Sequence, residues 1–144
     1  MAEKWWTYPA DGENGKTVLV TGRDGIDKFR ESGKYIYRIN VSLKYTELSN
    51  GLPTEEESRQ LEHITDALIS AFNKDKVAVM TGIYTGEGVR DWVFYSKNLA
   101  IFGHVFNKAL YDLPLLPLKI EAEEDKDWEE YLTMRDATYI PDED

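Results

Sequence analysis

The alternation of hydrophobic and polar residues predicts a β-sheet built around one clear strand. In YIYRINVSLKY (35–45) every second residue is apolar, while the opposite face carries polar residues such as Arg38 and Asn40. This period of two marks a strand that is buried on one face only. Further strands are predicted over residues 17–22, 77–84, 89–96 and 117–123. TGEG joins the third and fourth of these five strands, which predicts a hairpin.

Helical periodicity is strongest in TEEESRQLEHITDALISAFNK (54–74), where apolar residues recur every three or four positions. Thr54 and Glu57 have the spacing of a capping box at its start. A second amphipathic helix is predicted over 96–112, and 22–33 is predicted to be loop or a single helical turn. The pattern therefore predicts two long helices that each bury one face.

The predicted order of elements is β–β–α–β–β–α–β. With the first strand set aside, the order is βαββαβ, the ferredoxin-like arrangement. Right-handed crossovers then place both helices on the same face of the sheet. We therefore predict a single α+β domain over residues 1–144: a ferredoxin-like βαββαβ sandwich with an extra N-terminal strand and a short C-terminal helix.

The hairpin strands are apolar on both faces, so the face without helices needs a cover. Trp128, Tyr131 and Leu132 have the spacing of one helical stripe, which predicts that the acidic segment 121–144 docks on the body. Residues 1–16 are aromatic and then turn-like, and no strand is predicted in them. Their aromatic residues are predicted to anchor the other end: Trp5, Trp6 and Tyr8.

The net charge of −10 lies mainly at the C-terminal end. Residues 118–144 carry a net charge of −8, while the rest of the chain carries −2. Phosphate backbones and anionic membranes attract Lys and Arg, so we predict no nucleic-acid and no membrane partner. The N-terminal residues show no signal-peptide pattern and no apolar run reaches a membrane-spanning length, which favours the cytoplasm.

Candidate catalytic groups do not form a recognised motif. His63 and His104 fall on the polar faces of the two predicted helices, and HExxH is absent. The chain has no cysteine, and the alternating carboxylates of 121–127 lack the glycine turn of a calcium loop. We therefore predict no catalytic residues, no metal and no cofactor. An enzyme using Arg90, Asp91, His104 or the 121–127 carboxylates remains an alternative.

Three segments carry a family resemblance: GLPTEEESRQLEHI (51–64), TGIYTGEGVRDWVFYSKN (81–98) and DKDWEEY (125–131). Together with the aromatic start WWTY they resemble family 695 of the domains of unknown function, over nearly the whole chain. The resemblance implies a bacterial, cytoplasmic domain. Some relatives are fused to a domain like the regulator of ribonuclease E activity B, which points to regulation by protein binding. The family supplies no catalytic residues to carry over.

These observations predict a non-catalytic protein-interaction or regulatory module, whose partner is another protein or a second copy of itself. Trp, Tyr and Arg are the residues favoured at interface hot spots. The predicted partner-binding residues are Trp5, Trp6, Arg90, Trp92, Trp128 and Tyr131. Besides partner binding, a purely structural role for the aromatic residues is open, and it is the interpretation that we favour. Besides the enzyme, a self-associating structural domain remains an alternative.

Overall fold

A computed structural model describes residues 4–12, 14–114 and 116–139 of the chain. Within them lie six strands and four helices. In chain order these are β1 (Lys4–Asp11), β2 (Thr17–Asp24), α1 (Asp27–Glu31), β3 (Tyr37–Lys44), α2 (Glu55–Lys74), β4 (Ala78–Gly86), β5 (Val89–Ser96), α3 (Leu99–Ala109), β6 (Lys119–Glu124) and α4 (Glu129–Thr138). The predicted α+β class is confirmed.

The strands form one antiparallel sheet in the order β1-β2-β4-β5-β3-β6. The predicted hairpin is present as β4 and β5, which turn at Glu87 and Gly88, both with positive φ. β3 lies between β5 and β6, so that β6 forms one edge of the sheet and β1 the other.

Both long helices cover the same face of the sheet. Thr54 caps α2 by accepting a hydrogen bond from the Glu57 amide at 3.2 Å, as predicted, whereas the Glu57 side chain accepts from the Thr46 amide at 2.9 Å. The apolar residues of α2 and α3 share one buried cluster with the apolar face of β3 and with Trp92 and Phe94 of β5. Phe72 of α2 and Phe102 of α3 stack in it with ring centres 5.1 Å apart. We call this side the helix face.

The prediction missed the first strand of the sheet. No strand was predicted before residue 17, but β1 (Lys4–Asp11) pairs with β2 along its whole length, from Lys4 opposite Asp24 to Asp11 opposite Thr17. The N-terminal extension is thus a pair of strands rather than one. Only Trp6 is buried in β1, so the strand shows no apolar alternation. Pro9 lacks an amide hydrogen, and a sheet edge tolerates it.

A second buried cluster covers part of the opposite face. It joins side chains from the sheet, the segment around α1 and the segment around α4, and its members are Trp6, Val20, Ile26, Tyr35, Val79, Tyr95, Trp128, Tyr131 and Met134. α4 lies over β1 and β2. In the part of the chain that the structure describes, no helix is long and apolar enough to cross a bilayer.

Candidate functional site

The aromatic residues predicted to bind a partner are mostly core residues. Trp6, Trp92, Trp128 and Tyr131 are at most 5% exposed. Trp5 is half-buried, and the Arg23 guanidinium lies 5.5 Å from its ring centre. The fold therefore gives these four buried aromatic side chains the structural role that the sequence left open. Binding a partner through them stays a prediction, and it requires the segments that cover them to move.

Hydrogen bonds from the buried aromatic residues fix α4 on the sheet. The Trp128 ring stacks on Tyr95 with centres 4.3 Å apart, and its indole nitrogen donates to the Tyr35 carbonyl at 2.8 Å. The Tyr131 hydroxyl donates to the Arg23 carbonyl at 2.6 Å. At the other end, Trp6 Nε1 donates to Thr138 Oγ1 at 2.9 Å. Each polar end of these large side chains thus has a partner, which removes the cost of burying it. Tyr8, by contrast, is 39% exposed and belongs to neither buried cluster of the described residues.

Arg90 is enclosed on the helix face. It is 8% exposed, and its guanidinium donates to Thr85 Oγ1 and to Glu62 Oε1, each at 2.9 Å. The neighbouring Asp91 faces the opposite side of the sheet, because successive residues of a strand alternate. His104 is exposed on α3. The groups considered for an enzyme are therefore distributed over both faces of the sheet and do not converge.

An acidic cleft lies where α4 stops covering the sheet. Two adjoining cavities of about 650 and 380 Å³ open between α4 and the strands β3 and β6. Four residues line both cavities: Arg38, Tyr84, Glu123 and Glu130. We call the two cavities together the acidic cleft, and this side of the sheet the cleft face.

Carboxylates dominate the lining of the acidic cleft. Within the described residues it contains seven of them, Asp91, Glu121, Glu123, Glu124, Asp125, Glu129 and Glu130, against the single cation Arg38. Arg38 pairs with Glu123. Asp91 accepts hydrogen bonds from Ser42 and from Asn40, the latter at 3.3 Å. These pairs leave the lining strongly negative.

Glu130 is a half-buried carboxylate of the cleft. It accepts a hydrogen bond from the Tyr84 hydroxyl through Oε1, while its buried Oε2 has no hydrogen-bond partner among the described residues. Burial raises the pKa of Glu130, and the hydrogen bond from Tyr84 and the charge of Arg38 offset this only in part. Burial, together with the adjacent Glu130 carboxylate, also raises the pKa of Tyr84.

Asp125 joins the cleft to the start of α4. Its carboxylate accepts from the amides of Glu129 and Glu130 at 3.0 and 3.2 Å and from the Tyr95 hydroxyl at 2.7 Å. Burial alone would raise the pKa of Asp125, but these hydrogen bonds stabilise the charged form and bring the pKa below its ordinary value. No group of three or more His, Cys, Asp or Glu side chains in the described residues is arranged to hold a metal ion.

Sequence reasoning did not single out the acidic cleft, although one signal for it was present. The polar face of the clearest strand carries Arg38, Asn40 and Ser42, which now line or adjoin the cleft. Polar residues in the middle of a sheet mark a face that no core covers. The contributions of Tyr84 and Glu130 depend on tertiary contacts across 46 residues and carry no local signal.

The chain is an α+β domain with a helix layer on one face of its sheet and an acidic cleft on the other. Residues 3–134 match the model of the family described as Family of unknown function (DUF695), and the chain belongs to that family. The resemblance found in the sequence is thereby confirmed. Neither the curated proteins nor the solved structures include a match to the chain.

Proposed function

We propose that the protein is a non-catalytic protein-interaction module that binds a positively charged segment of another protein in the acidic cleft. The observation that carries the proposal is the composition of the cleft, with seven carboxylates and one arginine among the described residues that line it. Complementary charge steers association and discriminates against wrong partners. A cationic segment is the ligand whose charge opposes that of the cleft.

The position of the cleft supports binding more than catalysis. Both histidines belong to the helix layer, since His63 lies in α2 and His104 in α3. A general base must lie within hydrogen-bond reach of the substrate. Glu130 is the one group that favours an enzyme as second candidate, because a raised pKa in a cleft is typical of catalytic acids. If an enzymatic activity is found for the protein and the Glu130→Gln variant retains it, Glu130 is not its catalytic acid.

Part of the chain has the element order of a known fold, which gives such a module a scaffold. We propose that β3, α2, β4, β5, α3 and β6 form a ferredoxin-like unit. The support is that the strands of this unit run β4-β5-β3-β6, all antiparallel, with both helices on one face. In this view β1, β2 and α4 are additions that extend the sheet and cover part of its second face. The cytoplasmic location and the bacterial origin stay predictions.

A titration with a labelled oligolysine peptide tests the proposed function. We expect binding that weakens as salt rises, because the attraction is between partly exposed charges. The double variant Glu121→Gln/Glu123→Gln should weaken it. The control Glu55→Gln/Glu56→Gln removes the same charge from the exposed start of α2 and should leave binding unchanged.

Equal effects of the two double variants would show that the peptide senses only net charge, and the cleft would then have no role. Absence of binding at low salt would also contradict the proposal. Light scattering on the free protein separates it from the self-associating alternative, because the chain has a mass of 16.6 kDa and a dimer has twice that mass.

A further inference from the structure

We propose that the edge strand β6 accepts a partner segment as an added β-strand, and that this segment alternates basic and apolar side chains. The inference rests on the proposed function and names the partner's chemistry. It is carried by a feature independent of the net charge, namely the two different surfaces that β6 presents on its two faces.

β6 offers a free edge. It pairs with β3 on one side, from Ser42 opposite Lys119 to Tyr37 opposite Glu124. On its other side no strand of the described residues follows in the sheet. All six of its residues are exposed. The outer edge of such a strand presents unpaired N–H and C=O groups, which are the groups that strand addition uses.

The two faces of β6 differ in chemistry. Glu121 and Glu123 lie opposite Asn40 and Arg38, and so belong to the cleft face. Ile120 lies opposite Val41, which is a buried member of the helix-face cluster. Between Ile120 and Glu123, carboxylates therefore alternate with apolar side chains, while Lys119 on the cleft face pairs with Glu121 at 2.9 Å.

An apolar groove continues the helix-face side of β6. The groove has a volume of about 420 Å³ and runs from the C-terminal end of α3 to Ile120. Its apolar lining residues are Phe106, Leu110, Tyr111, Leu113, Pro114, Leu116, Leu118 and Ile120. Tyr111 and Ile120 are 84% and 49% exposed. Since side chains of an added strand alternate between the faces, one set would lie by the groove and the other by the acidic cleft.

The charge of β6 argues against a second copy of the chain as the occupant. Two β6 strands paired with each other would set edges rich in glutamate side by side, and like charges directly opposite are destabilising. Charged edges are a common means of preventing self-pairing. The same carboxylates attract a basic segment, so the charge complementarity selects a different protein with Lys or Arg at alternate positions.

Two peptides of identical composition test the inference. The first, of about eight residues, alternates Lys and Val, and the second carries the same residues in two blocks. We expect the alternating peptide to bind at least roughly tenfold more tightly, since only it can match both faces at once. N-methylation of alternate peptide amides supplies a control. Methylation along one edge should abolish binding, and along the other edge it should leave binding intact.

A pair of protein variants tests the apolar side. Ile120→Asn should weaken binding of the alternating peptide roughly fivefold to tenfold. Ile101→Asn is the matched control, because Ile101 is 47% exposed on α3 and lies outside the groove. It should leave binding unchanged. Urea unfolding of both variants verifies that they fold.

The outcomes distinguish the two proposals. If both peptides bind equally and Glu121→Gln/Glu123→Gln weakens both, the acidic cleft binds basic segments but strand addition at β6 is overturned. Equal effects of the two N-methylation patterns, or of the two isoleucine variants, also overturn it. If neither peptide binds at low salt, the proposed function itself fails.

Discussion

Replacement of Asp125 by alanine is expected to detach the start of α4 from the sheet. Asp125 directly follows β6, and its two carboxylate oxygens accept the amides of Glu129 and Glu130. These amides belong to the first turn of α4, where no intrahelical acceptor is available. Oδ2 also accepts the hydroxyl of Tyr95, a residue with 0% exposure. One side chain therefore caps a helix and satisfies a buried phenol.

The expected loss of unfolding free energy follows from these two roles of Asp125. Loss of a capping side chain costs about 1 kcal/mol of unfolding free energy. A buried hydroxyl left without its acceptor costs about 1–2 kcal/mol more. Asp125→Ala should thus lower the free energy of unfolding by about 2–3 kcal/mol. For a chain of this length that is a fall in Tm of roughly 5–10 °C.

Urea unfolding followed by tryptophan fluorescence measures the effect of Asp125→Ala. The control is Asp127→Ala, two residues further on, where the side chain is exposed. The pKa of Asp125 is held below its ordinary value of 3.8, so its stabilising contribution is complete above that pH and is lost as the pH falls through the depressed pKa. The difference between wild type and variant should therefore shrink in acid. A loss below about 0.5 kcal/mol, or an equal loss in the control, would refute this account of α4.

Three further substitutions have definite expected outcomes. Because the pKa of Glu130 is raised above its ordinary value of 4.5, the folded protein binds this proton more tightly than the unfolded chain, and the charged form costs stability at neutral pH. Relative to wild type, Glu130→Gln should therefore become more favourable for stability as the pH rises from 4.5 to neutral, and a difference in unfolding free energy that stays constant over this range would contradict this. Gly22→Ala should cost about 2–3 kcal/mol, since its Cβ would lie 2.1 Å from the Trp6 ring. A Cβ added at Gly103, in the middle of α3, has no other atom within 4 Å. Gly103→Ala should therefore raise the free energy of unfolding by about 0.5–1 kcal/mol. Calorimetry of both glycine variants checks that their Tm values move in opposite directions.

The helices and central strands were predictable because their signals are local. The capping box at Thr54 and the apolar spacing that follows it define α2 without reference to the rest of the chain. The alternation that predicted a strand over 35–45 reappears as the burial of Ile39, Val41 and Leu43. Both patterns arise because the apolar residues of a half-buried helix or strand recur with the period of that element.

The edge strand β1 and the acidic cleft were not predictable for the opposite reason. β1 buries only Trp6 and therefore lacks the periodic apolar signal of a central strand, whereas the alternation in 117–123 did predict the other edge strand, β6. The cleft depends on which strands become neighbours: Arg38 pairs with Glu123 across 85 residues only because β6 pairs with β3. Sequence patterns specify which face of an element is polar, but tertiary pairing decides which polar faces meet.

The residues that match the family model include most of the elements that form the acidic cleft. The match runs from residue 3 to residue 134, so it includes all of β1 and β6 and the first half of α4. It therefore takes in the cleft-lining residues of α4 from Glu129 to Met134 and the buried anchors Trp128 and Tyr131, while Ala137 and Thr138 lie beyond it. Most of the cover that stops before β3 and β6 is thus contained in the unit that the family defines. The uncovered acidic face and the free edge of β6 belong to that unit too, which is why the binding experiments are directed there and not at the buried aromatic residues.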